Sequence, residues 1–114
     1  MTNDRRDALG EFEQSVLLAI IHLEDEAYGV TIRREIEDRT GRSVAVGALY
    51  TALDRLERKG YVTSTMSAPT AERGGRSKRH FKIKTAGVAA LRQSREYLTR
   101  MWAGLRPDLR GVRS

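Results

Sequence analysis

Cysteine is absent from this chain of 114 residues, so it forms neither a disulfide framework nor a thiolate metal site. It has two histidines, His22 and His80, far apart and without a carboxylate cluster at ligand spacing, which leaves no metal-binding pattern. No serine, histidine and carboxylate can be assembled into a catalytic group, so neither enzymatic activity nor a cofactor is expected. Aromatic residues make up only 6% of the chain, with no aromatic pair on a strand-like segment, which disfavours base stacking on single-stranded RNA. The longest apolar run, Val16 to Ile21, is far short of a membrane span. The start, "MTNDRRDALG", has no apolar signal region, and a cytoplasmic location without membrane contact is the expectation.

Positive charge is plentiful but uneven. The net charge is +6, yet residues 1–41 carry −5, residues 42–84 carry +7 and residues 85–114 carry +4. A basic middle beside an acidic start suggests one face built for a polyanion. The basic density peaks in 72–87, "ERGGRSKRHFKIKTAG", which holds six lysines and arginines. Its "GGRSK" lacks the spacing of a nucleotide-binding phosphate loop and precedes a strand where such a loop opens a helix.

Hydrophobic spacing predicts three helices in the first half. Leu9, Phe12, Val16, Ile20 and Leu23 form one stripe, widened by Leu17, Leu18 and Ile21. Glu24-Asp25-Glu26 suits the N-terminus of a second helix, whose stripe is Ile32 and Ile36 and whose end is "DRTG", with Gly41 as the cap. Val46, Leu49, Leu53 and Leu56 mark the inward face of a third, which ends at "RKG". Two β-rich segments follow. Tyr61 to Met66 is one; in the other, residues 78–84, Phe81 and Ile83 alternate with Lys78, His80, Lys82 and Lys84. Joined by "SAPTAERGGR", they make a hairpin with a long loop. Thr85 is the expected N-cap of a last helix carrying Val88, Leu91, Leu98, Trp102 and Leu105, ended by Pro107.

This order is that of a winged helix-turn-helix: mainly α with a small β-hairpin (α+β), plus a long C-terminal helix. The expected organisation is a flexible 1–8, a DNA-binding domain over 9–84, a dimerisation helix over 85–106 and a basic tail over 107–114. In such a domain the third helix enters the major groove and the hairpin loop touches the neighbouring backbone or minor groove. With the stripe inward, Thr51, Arg55 and Arg58 point outward, Tyr50 and Asp54 lie on a flank, and Gly47 and Ala48 allow close approach to base edges. Ala48, Tyr50, Thr51 and Arg55 are therefore candidate DNA contacts, the hydroxyls for phosphate and Arg55 for phosphate or guanine. Arg73, Arg76, Lys78 and Arg79 are candidate phosphate neutralisers, on a loop that Gly74 and Gly75 let bend.

The last helix has two readings: a cover for its own domain, or a self-association surface. Its length at the chain end favours the second, with Leu9, Phe12, Val16, Leu91, Leu98, Trp102 and Leu105 in a homodimer contact. Trp102 could instead line a small-molecule cavity between subunits. A rival use of the whole domain is a protein-interaction module whose basic loop grips an acidic partner.

"LGEFEQSVLLAI", "AYGVTIRREIE", "VAVGALYTALDRLERKGYV" and "ERGGRSKRHFKIKTAG" resemble the PadR family of bacterial transcriptional regulators. The resemblance spans about Leu9 to Gly87 and is most specific at Gly47-Ala48-Leu49-Tyr50, at Leu53 with Leu56-Glu57, and at Gly74-Gly75-Arg76. It implies a homodimeric repressor on a two-fold symmetric DNA operator, with Ala48, Tyr50, Thr51, Arg55 and the wing basics at the DNA. It also implies a last helix docked on the partner's first helix. Some members respond to phenolic acids or planar drug-like compounds, which makes a planar aromatic or phenolic effector one expectation; others have no known small-molecule signal.

Overall fold

A computed structural model describes residues 9–67 and 78–112. Four helices, α1 (Glu11–Leu23), α2 (Gly29–Thr40), α3 (Val46–Arg58) and α4 (Thr85–Trp102), accompany one antiparallel hairpin of β1 (Val62–Met66) and β2 (Arg79–Ile83). The fold is the α+β winged helix anticipated above.

Helix α1 starts where the Glu13 carboxylate accepts the Gly10 N–H at 3.0 Å, satisfying a free amide at the positive end of the helix dipole. It buries Val16, Leu17, Ala19 and Ile20. Glu24-Asp25-Glu26 does not open the second helix; it forms a separate 3₁₀ turn. The α2 helix opens three residues later, where Thr31 Oγ1 accepts the Tyr28 N–H at 3.0 Å. That hydroxyl can cap in a way that the exposed acidic triplet does not. The end of α2 follows expectation, with Gly41 at φ +72° and its N–H on the Glu37 carbonyl at 2.8 Å. The Glu37 side chain then accepts the Val44 N–H at 2.9 Å, fixing the turn into α3.

Helix α3 buries Leu49, Ala52, Leu53 and Leu56. Val46, expected to face inward, is 51% exposed. It is the first residue of the helix, at the rim of the core, and Ala52 completes the inner face. Gly60 at φ +81° reverses the chain, with Tyr61 N–H bonded to the Leu56 carbonyl and Gly60 N–H to that of Glu57.

The hairpin pairs Val62 with Ile83 through Met66 with Arg79. Phe81, on the inner face, is buried beneath α1 in the core that Leu17, Ile32, Leu53 and Leu56 share. Phe81 N–H also bonds the Ala27 carbonyl at 2.9 Å, and Tyr28 bridges His80, so the segment before α2 adds a short third edge to the sheet.

Helix α4 begins at Thr85 with Lys84, not Thr85, in the N-cap position. Gly87 is buried so tightly that an added Cβ would lie 2.5 Å from the Tyr61 carbonyl and 2.8 Å from Ile83 Cγ1. The helix ends at Trp102, four residues short of expectation, because the chain turns at Gly104 with φ +86° before Pro107 is reached. From Arg95 onward every described residue of α4 and its tail is exposed. Among the described residues no helix is long and apolar enough to cross a membrane.

Candidate nucleic-acid interface

Gly47, Ala48, Thr51 and Arg55 form an exposed strip on α3. Among the described residues, nothing beyond its own helix lies within 4 Å of where a Cβ on Gly47 would sit, so the backbone there is open to an approaching surface. The Arg55 side chain has no ion pair or hydrogen bond among the described residues, which leaves its five donors for a ligand. Arg58 continues the face one turn later, its Nε 3.4 Å from the Asp54 carbonyl.

Tyr50 sits differently from its neighbours. Its ring lies against the start of α2, where a Cβ on Gly29 would fall 2.1 Å from the Tyr50 hydroxyl. A larger residue at 29 would push the Tyr50 ring aside; with glycine there, Tyr50 docks α3 onto α2 and holds its hydroxyl at the first turn of that helix. The wing reaches the same place. Lys78 Nζ lies 3.3 Å from the Tyr28 hydroxyl and 4.3 Å from the centre of the Tyr28 ring. His80 meets that ring edge-on at 5.2 Å. Tyr28 thus joins wing and helix-turn-helix, a role sequence reasoning missed; the signal was the aromatic-glycine pair in "AYGV" at a helix start.

Arg79, expected as a phosphate neutraliser, is turned toward its own protein. Its Nε donates to Ser64 Oγ at 3.2 Å, Nη1 to Asp54 Oδ1 at 3.3 Å, and Nη2 to Glu57 Oε1. Its guanidinium lies 4.9 Å from the centre of the Phe81 ring. Arg73, Gly74, Gly75 and Arg76 lie outside the described residues.

A second surface lies between α1 and α4. Leu18 and Ile21 of α1 face Val88, Leu98 and Trp102 of α4, and Leu105 beyond it, across an open groove of about 750 Å³. Arg92 and Arg95 lie on its wall. Three residues near the N-terminus, Leu9, Phe12 and Val16, are expected in a dimer contact. Val16 is fully buried in the chain's own core, and Leu9 and Phe12 pack against that core, while Leu18 and Ile21 remain 47% and 43% exposed. In α4, Leu91 is partly buried on the core and Leu98 and Trp102 are exposed, as is Leu105 beyond the helix. Among the described residues no group of His, Cys, Asp and Glu could hold a metal ion.

An outward strip on the third helix, a basic hairpin docked beside it and a trailing helix complete the arrangement. The model of the transcriptional regulator PadR-like family matches residues 17–93. The chain belongs to this family. Among solved structures, RosR of H. salinarum is 27% identical with a TM-score of 0.65, over 94% of this chain and 87% of that one. A transcriptional regulator from Clostridium thermocellum is similar at 23% identity and a TM-score of 0.68, over 86% of this chain and 89% of its own. A PadR-like transcription factor from Bacteroides fragilis is similar at 21% identity and a TM-score of 0.68, over 84% and 85%. No curated protein shows a significant match. As a PadR-like protein the chain is a DNA-binding transcriptional regulator and not an enzyme.

Proposed function

We propose that this PadR-like regulator is a homodimeric repressor that occupies a two-fold symmetric operator with two copies of α3 and two wings. The observation that carries the reading is the exposed strip Gly47, Ala48, Thr51 and Arg55 beside a hairpin of dense positive charge. Small residues at the start of α3 let the helix sit deep in the major groove. Thr51 and Arg55 then reach base edges or phosphate, and Tyr50 offers its hydroxyl from the flank. Lys78, Arg73 and Arg76 neutralise phosphates, with Gly74 and Gly75 admitting a close backbone approach.

Dimerisation is supported by the apolar groove. Leu18, Ile21, Leu98, Trp102 and Leu105 together expose more apolar side chain than a scatter of single residues does, and a second α4 fits the same chemistry. Half-sites on one face of B-DNA lie about one helical turn, ~34 Å, apart, so a small change in how two α4 helices pack misaligns the reading heads. A planar aromatic or phenolic effector between subunits, against Trp102, would act through that packing.

Selection of bound sequences from random duplexes at physiological salt tests the reading. Enrichment of a palindrome with half-sites one turn apart is expected. A protein that retains no duplex, or enriches no symmetric sequence, overturns it. Repression is read by transcription from a promoter carrying the selected site, which should fall as protein is added.

A further inference from the structure

Arg79, the arginine of β2, has its donors spent inside the protein. Residues 79, 81 and 83 share one face of β2, and Phe81 on that face is buried in the core. Lys78, His80, Lys82 and Lys84 have the opposite parity. Arg79 therefore leaves the strand on the inner face and lies over Phe81, where it meets the side of α3. Two carboxylates one turn apart on α3, Asp54 and Glu57, receive its two terminal nitrogens, and Ser64 of the neighbouring strand receives Nε. The Ser64 hydroxyl in turn donates to Glu57 Oε2 at 2.9 Å. The guanidinium fork is thus shared between a helix and both strands of the wing.

We infer that Arg79 is a positioning residue: through Glu57, Asp54 and Ser64 it locks the wing in register with α3, so that hairpin and helix engage DNA as one body. The inference rests on the proposed reading of α3 and the wing as the DNA-binding elements. It differs from a phosphate contact in one sharp respect. A residue that neutralises phosphate acts by its charge, whereas this lock acts by the planar, forked geometry that lysine lacks. Glu57 supplies a test of opposite sign. Removing a negative charge beside a polyanion tightens binding if only electrostatics matter, but weakens it if that carboxylate holds the wing in place.

The full-length protein is titrated with its selected duplex and a random duplex over a range of salt. Arg79→Lys, which keeps the charge, is expected to weaken the selected duplex about tenfold, the scale of one charge-assisted hydrogen bond. Glu57→Gln should weaken it as well, and the double variant should be no worse than the weaker single. The salt slope should stay that of the parent throughout. Parental affinity for Arg79→Lys, tighter binding for Glu57→Gln, or additive losses overturn the inference. So does a slope flattened by about one phosphate in Arg79→Ala. Should Arg79→Lys fail to fold, Ser64→Ala removes one acceptor and no charge. A two- to threefold loss (about half of one neutral hydrogen bond) at unchanged slope then supports the lock, and parental affinity overturns it. A parent that binds no duplex at all sinks the DNA reading itself, an outcome distinct from normal parental binding with indifferent variants.

Discussion

Lys59 Nζ lies 3.3 Å from both carboxylate oxygens of Glu13, joining the end of α3 to the first turn of α1. Both side chains are largely buried, and Glu13 also holds the Gly10 N–H. One carboxylate therefore caps α1 and anchors the C-terminal end of the helix that carries the DNA-facing strip. Glu13→Ala removes both functions and leaves the Lys59 charge poorly solvated. A loss of about 2–4 kcal/mol in unfolding free energy is expected by urea denaturation. Glu13→Gln, whose amide oxygen can still accept the Gly10 N–H, should lose less. A loss for Glu13→Ala within about 0.5 kcal/mol, the range of ordinary surface changes, would show that the pair is dispensable.

Two glycines on helices make opposite predictions. Gly87 has backbone within 2.5 Å of the missing Cβ, and that Tyr61 carbonyl is held by the Lys84 N–H at 2.8 Å. Gly87→Ala should destabilise by about 1–3 kcal/mol despite alanine's better helix propensity, because neither partner can give way. At Gly47 no described residue outside its own helix lies within 4 Å of the missing Cβ. Gly47→Ala should raise stability by up to about 1 kcal/mol while weakening duplex binding if the helix sits close to base edges. Thermal unfolding beside a duplex titration reads both, and equal effects at the two sites would contradict the packing at the base of α4.

The groove between α1 and α4 predicts a concentration-dependent dimer. Leu98→Glu or Trp102→Ala should shift sedimentation toward monomer, and Trp102 emission in the parent should move to the red on dilution. Val16 offers a contrast. Val16→Ala falls in the chain's own core and should lower unfolding stability by about 1–3 kcal/mol without dissociating a dimer. Unchanged sedimentation of Leu98→Glu would remove α4 from the subunit contact.

Much of this architecture was legible because the helices and the hairpin carry different hydrophobic periods. What could not be read was which of two apolar faces on α1 closes the core. Val16 with Ile20 and Leu18 with Ile21 are chemically alike, and burial in a domain or in an interface asks for the same residues. Arg79 is a different case. The two-residue period that placed Phe81 inward also places Arg79 inward, but a basic run reads as solvated charge until its carboxylate partners, 22 and 25 positions earlier, are known. The acidic triplet and the early end of α4 depart from the hydrophobic spacing for local reasons. A side-chain cap at Thr31 outweighs the dipole preference of exposed acids, and Gly104 turns the chain before Pro107 can.

Salt dependence separates the wing from the helix. Each phosphate neutralised by a basic side chain releases a condensed counterion, steepening the fall of affinity with salt by slightly less than one power per contact. Arg76→Ala and Lys78→Ala should therefore weaken selected and random duplexes alike and flatten the slope by about one unit each. Lys78 carries a second expectation, because its ammonium rests on Tyr28. Tyr28→Leu should free that side chain and reduce affinity while leaving the slope of the Lys78 contact in place. Thr51 and Arg55 should behave otherwise. Their replacement by alanine should change which base pairs are preferred, by about 1–3 kcal/mol at the position read, with little change on random DNA. Equal losses on selected and random duplexes for Thr51→Ala and Arg55→Ala would mean that α3 grips only the backbone, and base discrimination would then have to come from DNA shape or from the wing.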